Sequence, residues 1–173
     1  MTSASVFIGR FQPFHLGHLA MINQCNTDTL YIGIGSSQYH HLLQNPFTYD
    51  ERKTMIKLAL KNRLNIKYDI YAIPDIHDPP NWVDHVKRIL PPFTTVITNN
   101  DFTATLFKEQ GYQIQCPGFV KRSNYAGKII RKHMVNEKKW QHLVPNEVVI
   151  YLEKINAPER IKTLFKDSKN HKK

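Results

Sequence analysis

Five strand-sized apolar runs alternate with stretches of helical spacing along most of this chain, and that alternation limits its fold more than any other feature. Ser5-Val6-Phe7-Ile8-Gly9 reads as a buried strand, and Leu16, Leu19 and Ile22 recur after a turn at helical spacing. The run Leu30 to Ile34 is a second strand, broken by Gly35-Ser36-Ser37. A helix is expected from Thr48, because Thr48 and Glu51 stand in capping-box register; Met55, Leu58 and Ala59 then face the core. Lys67 to Ile73 makes a third strand stopped by Pro74, and Trp82 to Leu90 a short helix stopped by Pro91-Pro92. Thr95 to Thr98 is the fourth strand, Asp101 opens a helix that Gly111 can end in a left-handed conformation, and Tyr112 to Cys116 is the fifth strand. From about Gly127 onward the pattern is mostly helical. Parallel neighbours need crossovers, so this order predicts an α/β fold: a doubly wound parallel sheet with helices on both faces and a helical C-terminal portion.

Composition narrows the class. With 173 residues, 41% hydrophobic and 22% charged, the chain can bury one core of ordinary size and is not of disordered composition. No apolar run approaches the roughly 20 residues of a membrane span, and the opening residues carry no secretory pattern, so a cytoplasmic protein is expected. Cys25 and Cys116 are too far apart for a paired metal-ligand motif, and both read as reduced packing residues. The net charge of +10 attracts polyanions. Nucleic acid, an anionic membrane and phosphorylated small molecules all fit that charge, which does not choose among them; the absence of an interleaved aromatic and basic strand that stacks bases argues against nucleic acid. Arg160, Lys162, Lys166, Lys169, Lys172 and Lys173 read as a solvated helix end.

The chemistry concentrates in Gly9-Arg10-Phe11-Gln12-Pro13-Phe14-His15-Leu16-Gly17-His18, between the first strand and the first helix. Such a turn at the carboxyl end of a parallel strand is where a phosphate site belongs. Gly9 lets backbone approach a ligand, Pro13 stiffens the turn, and Gly17 removes a side chain where helix and nucleotide would collide. His15 and His18, three apart at a helix start, share one face, and Arg10 adds a full positive charge.

The H-x-G-H string of His15 to His18 resembles the nucleotidyltransferase superfamily with a Rossmann-like fold, and the longer Gly9 to His18 string resembles the archaeal-type nicotinamide-nucleotide adenylyltransferases. The likeness continues through Ile34-Gly35-Ser36-Ser37-Gln38, Asn45-Pro46-Phe47-Thr48 with Glu51-Arg52, Ile73-Pro74-Asp75-Ile76, Trp82-Val83 with His85-Val86, and Asn99-Asn100. It runs on through Tyr125, Gly127, Ile130 and Arg131 to Leu143-Val144-Pro145, and so covers nearly the whole chain. One departure stands out: where the family usually reads Ser-Gly-Thr-x-Ile-Arg, this chain has Ala126-Gly127-Lys128-Ile129-Ile130-Arg131, without two hydroxyl donors.

The resemblance implies one nucleotidyltransferase domain over 1–173, with a nucleotide-binding core to about 120 and a phosphate motif with C-terminal helices beyond. It implies AMP transfer from ATP to nicotinamide mononucleotide, giving NAD and pyrophosphate, without a protein nucleophile; nicotinic acid mononucleotide, FMN or phosphopantetheine are alternative acceptors. A non-catalytic nucleotide-sensing or nucleic-acid-binding protein is the alternative of another class. The implied catalytic set is His15, His18, Arg10 and Arg131; ATP is expected on Gly9, Arg10, Phe11, Gly17, His18, Asn99, Asn100, Gly127, Lys128 and Arg131. The acceptor is expected on Phe14, Ser36, Gln38, Arg52, Pro74, Asp75, Ile76 and Trp82, the indole stacking on a cationic nicotinamide. Mg2+ or another divalent cation is expected on ATP phosphates, with no metal cage of the protein's own. A closed homo-oligomer is also implied.

Overall fold

The computed structural model describes residues 3–118 and 125–170. The chain forms two compact units that do not follow chain order: one of residues 1–10, 20–37 and 64–119, the other of 11–19, 38–63 and 120–173.

The first unit holds the sheet. Its strands are β1 (Ala4–Gly9), β2 (Thr29–Gly35), β3 (Lys67–Ile73), β4 (Thr95–Ile97) and β5 (Gln113–Gln115). All neighbours are parallel, in the order β3-β2-β1-β4-β5. The chain steps outward from β1 to β3 and returns beside β1 with β4, which is the doubly wound, Rossmann-like order. That reversal lies between β1 and β4, where open parallel sheets bind ligands at their carboxyl ends.

The helices α3 (Pro79–Ile89) and α4 (Asp101–Glu109) belong to this unit and touch one another. Val6, Ile73, Val83, Val86, Leu90, Phe93, Val96 and Phe107 form its core, and Trp82 and Tyr112 meet Phe107 edge to face. Asn100 caps α4 by accepting from the Thr103 amide at 2.9 Å, and Gly111 ends it with φ +83°, as its spacing predicts.

Four helices make most of the second unit: α2 (Tyr49–Leu60), α5 (Gly127–Val135), α6 (Asn146–Lys154) and α7 (Ala157–Asn170). A single 3₁₀ turn, Gln141–Leu143, precedes α6. α5 packs on α7, α2 on α6 and α6 on α7, burying Met55, Ile56, Leu60, Ile130, Met134, Val148, Leu152 and Ile161. The capping box is complete: Glu51 N donates to Thr48 Oγ1 at 3.2 Å, and Thr48 N to Glu51 Oε2 at 2.9 Å. The remaining helix, α1 (Leu16–Asn23), starts in this unit and ends in the first.

Four expectations need correction. The third helix begins at Pro79 rather than Trp82, because proline needs no amide bond in a first turn and its fixed φ suits it. Leu58 is only half-buried, and Ile56 and Leu60 take its share of the α2 core. Cys116 is exposed rather than part of a core; Cys25 is partly buried, donates to the Met21 carbonyl, and burial pushes its thiol up to about 11. Arg160 is no solvated tail residue: it makes two bonds to the Glu51 carboxylate, at 2.7 and 2.8 Å. Lys172 and Lys173 lie outside the described residues.

Candidate active site

β1 ends at Gly9 and the chain turns at once. Arg10 is exposed, and Phe11 takes φ +52°, a left-handed conformation rare for a side-chain-bearing residue. Ser36 (φ +50°) and His77 (φ +53°) do the same shortly after β2 and β3. His41, Asn62, Glu137 and Asn156 share this conformation, so it does not by itself mark a site; each such residue costs on the order of 1–2 kcal/mol that the surroundings must offset.

The histidines are built into the start of α1. The His15 carbonyl accepts from the amides of His18 and Leu19, and the two imidazoles stack with centroids 3.6 Å apart and 19° between planes. Each ring also accepts a backbone bond from the other residue: His15 N donates to His18 Nδ1 at 3.2 Å, and His18 N to His15 Nδ1 at 3.3 Å. An Nδ1 that accepts carries no proton, so each neutral ring carries it on Nε2, as a donor. Burial lowers His15 to about 4 and, with the neighbouring His15, holds His18 well below the ordinary histidine range. Phe11 and Phe14, both buried, supply part of that cover, with ring centroids 4.8 and 5.3 Å from His18. At neutral pH both imidazoles of the turn are therefore uncharged, each with its proton on Nε2. Gly17 is crowded from within: a Cβ there would lie 2.9 Å from Tyr125 Cβ and 3.0 Å from His15 Nδ1.

The Ala126 to Arg131 segment, expected as a second phosphate motif, lies in the same unit and approaches the turn before α1. α5 begins at Gly127 with Ala126 as N-cap and no side-chain cap bond, the local consequence of the missing serine. A Cβ on Gly127 would stand 2.7 Å from the Gln12 carbonyl oxygen, and Arg131 Nη1 donates to that same oxygen at 2.6 Å. Lys128 is exposed at the helix start, where the first amides have no intrahelical acceptor. His15, His18, Phe11, Phe14, Gly17, Gly127 and Arg131 are thus brought together with Gln12, a residue the sequence string contained without a role.

Most of the expected acceptor residues lie in the sheet unit. Ser36 is buried and donates to Asp75 Oδ2 at 2.6 Å, joining the ends of β2 and β3. Pro74 accepts on its carbonyl a bond from His85 Nε2 at 2.9 Å. Asp75, Ile76 and Trp82, with Phe102, Thr103 and Leu106, line a cavity of about 260 Å³. Trp82 is half-buried: its ring leans edge-on against Phe107 at 5.6 Å while contributing to the cavity wall. Asn99 reaches the Gly118 carbonyl at 3.1 Å; the Asn100 oxygen already caps α4.

Gln38 and Arg52 fall in the helical unit. Gln38 is exposed, whereas Arg52 is fully buried and donates to the Thr48 and Tyr39 carbonyls. A larger hollow of about 630 Å³, lined by Lys138, Lys139, Trp140 and Lys162, contains none of the expected site residues, and size alone is a poor guide here. Among the described residues no group of three or more His, Cys, Asp or Glu is arranged to hold a metal, and no helix is long and apolar enough to cross a membrane.

Residues 6–163 match the family model described as cytidylyltransferase-like. The chain belongs to this cytidylyltransferase-like family. Its relatives include proteins named nicotinamide-nucleotide adenylyltransferase. That of Methanococcus maripaludis (strain C5) is 45% identical over 163 residues, covering 91% of this chain and 92% of its own. Those of Methanococcus aeolicus (92% of this chain, 94% of its own) and Methanolobus tindarius (96% of each) are both 41% identical. Among solved structures, a bifunctional NMN adenylyltransferase/ADP ribose pyrophosphatase from Francisella tularensis superposes with TM-score 0.73 at 22% identity. The match spans 88% of this chain and only 50% of that one, and at this identity it speaks for the fold alone. A second structure of that Francisella protein, with AMP and a manganese ion, gives TM-score 0.72 over 98% of this chain and 54% of its own.

Proposed function

We propose that this chain is an adenylyltransferase that joins AMP from ATP to nicotinamide mononucleotide, forming NAD and releasing pyrophosphate. The observation that carries this reading is the reciprocal histidine pair: two neutral imidazoles, His15 buried and His18 half-buried, held with their protons on Nε2 in a turn that follows the first parallel strand. The relatives' names support nicotinamide mononucleotide over the other acceptors, and an adenylyltransferase over a non-catalytic protein.

The acceptor's 5′-phosphate oxygen attacks the α-phosphorus in line. One O–P bond forms, the bond from the α-phosphorus to the bridging oxygen breaks, and pyrophosphate leaves with that electron pair. No protein nucleophile is involved, so catalysis is positioning and charge neutralisation. His15 and His18 donate Nε2–H to phosphate oxygens, where fixed donors oppose developing negative charge at no cost of reorganisation. Arg10 adds full charge to the ATP phosphates, while Arg131, Lys128 and the first amides of α5 receive the pyrophosphate. Asn99 and Asn100 are assigned to the ATP nucleoside; Asp75, Ile76 and Trp82 to the acceptor, with the indole stacking on the cationic nicotinamide ring. ATP enters as its divalent-cation complex, Mg2+ in this proposal.

The test is incubation of pure protein with ATP, Mg2+ and each candidate mononucleotide, reading dinucleotide and pyrophosphate. NAD from nicotinamide mononucleotide at the highest kcat/KM is the expected result; no product with any acceptor would overturn the reading. The oligomeric state, proposed as a closed homo-oligomer, is read by light scattering.

A further inference from the structure

We infer that Gln12 is a positioning residue for the phosphate turn, splicing it to two distant segments so that the histidine pair and the second phosphate motif are set by one side chain and its own carbonyl. The inference rests on the adenylyltransferase reading for its kinetic consequence, though not for its geometry.

Gln12 is buried, 4% exposed, and both ends of its side-chain amide are engaged by one residue. Gln12 Nε2 donates to the Phe47 carbonyl at 3.2 Å and Gln12 Oε1 accepts from the Phe47 amide at 3.0 Å. The side chain therefore pairs with Phe47 as a neighbouring strand would, donor to acceptor and acceptor to donor, across 35 positions of sequence. In its ordinary form at neutral pH, no other uncharged side chain of that length both donates and accepts in one plane. The backbone carbonyl of Gln12 is engaged as tightly, by Arg131 Nη1 at 2.6 Å and by the close pass of Gly127.

Phe47 is itself held in place. Its ring lies under the Arg160 guanidinium, 5.9 Å from centroid to Cζ, and the carbonyl of Pro46 accepts from Arg160 Nη1 at 3.3 Å. Arg52 holds the two sides of the same loop through the Tyr39 and Thr48 carbonyls. Gln12 thus leans on a loop that α2 and α7 fix. Between Gln12 and His15 stand only Pro13 and Phe14, so a shift of Gln12 passes along a short stiff segment to the ring that stacks on His18.

Hydroxyls or carboxylates at position 12 would also satisfy one end of the Phe47 backbone. Among side chains in their ordinary form at neutral pH, only an amide satisfies both without placing a charge in a buried site. A merely structural role predicts loss of stability with the histidines unchanged; a positioning role predicts that the histidines themselves move.

The experiment uses Gln12→Met, which keeps length and volume and removes both bonds, with Gln12→Asn, one methylene shorter, as the second variant should the first not fold. Nitrogen-15 NMR of the ligand-free protein reads the Nδ1 and Nε2 signals of His15 and His18, and kinetics separate kcat from KM. Expected are histidine signals that shift and titrate closer to the ordinary range, with kcat down about tenfold or more and KM for the mononucleotide within about twofold. Unchanged histidine signals in a folded variant would overturn the inference, as would an equal fall in thermal midpoint and kcat in a Leu152→Ala control. If the wild-type protein made no dinucleotide while Gln12→Met still moved the histidine signals, the adenylyltransferase reading alone would fail.

Discussion

Two stacked imidazoles that accept each other's backbone amides form a donor pair whose chemistry is set by what they cannot do. Neither ring gains a second proton easily, since a proton on Nδ1 would break a backbone bond and place charge in a buried site. Replacing His18 with Ala removes one donor, and turnover is expected to fall about tenfold or more, with the circular dichroism spectrum retained. Steady-state kinetics check it; unchanged kcat would remove the ring from the mechanism. The same burial makes the fold acid-sensitive. An unfolded histidine binds its proton near 6.5, whereas folded His15 does so only near 4, so between these values the unfolded chain holds more protons. Stability from this source is full above about 6.5 and falls through the window, by about 3 kcal/mol for His15 alone. Urea unfolding from neutral pH downward should show the decline, and a His15→Gln variant should flatten it. The sequence made these two residues legible, because H-x-G-H at a helix start brings its rings to one face. It did not reveal their mutual bonds, since backbone amides leave no mark on residue type. Arg52 shows the converse: it is expected at the acceptor, and nothing in its sequence neighbourhood marks it as fully buried, with its guanidinium donating to the Tyr39 and Thr48 carbonyls.

At the scale of elements, the strands are the most readable parts. β3 runs from Lys67 to Ile73 as its apolar pattern and Pro74 demand, and the Thr48 capping box forms with both of its bonds. The start of α3 is harder to read because Pro79-Pro80 looks like a turn, although proline is at home in a helix's first turn. α5 carries the element-scale prediction. Ala126 stands at its N-cap without a side-chain bond, and the helix still forms because Ile130 and Met134 are buried. Ala126→Ser is expected to add about 1 kcal/mol of stability by capping an amide of the first turn. It should also lower KM for ATP if the first turn of α5 receives phosphates, since a hydroxyl donor is restored there. Chemical denaturation and ATP titration of the kinetics check both, and an increase in KM would separate the cap from the substrate.

On the scale of the whole molecule, the helical unit is assembled from three stretches far apart in the chain, and its ties are what sequence reading could not reach. Arg160 and Glu51 are 109 positions apart, and nothing in either neighbourhood announces the other. The pair is largely shielded, with side chains 22% and 16% exposed, so removing one partner leaves a charge that water reaches poorly. Burial works against the Glu51 carboxylate, but the Arg160 hydrogen bond, the Thr48 amide and the Arg160 charge outweigh it and hold Glu51 below its ordinary 4.5. A carboxyl lowered by folding stabilises the protein above its unfolded value and stops doing so as pH falls through its folded one. Arg160→Met should therefore cost about 2 kcal/mol at neutral pH, since the site is only partly buried. The double variant with Glu51→Gln should recover part of that, giving a coupling of about 1 kcal/mol. The coupling should vanish in acid, once Glu51 is protonated in both states. Because Arg160 also braces Pro46 and Phe47, against which Gln12 rests, kcat should fall with stability in Arg160→Met but not in Arg63→Met, which breaks the exposed pair with Glu147. Denaturation and kinetics on both variants decide it: equal kcat in the two would mean that the C-terminal helix supports the fold without bearing on the phosphate turn.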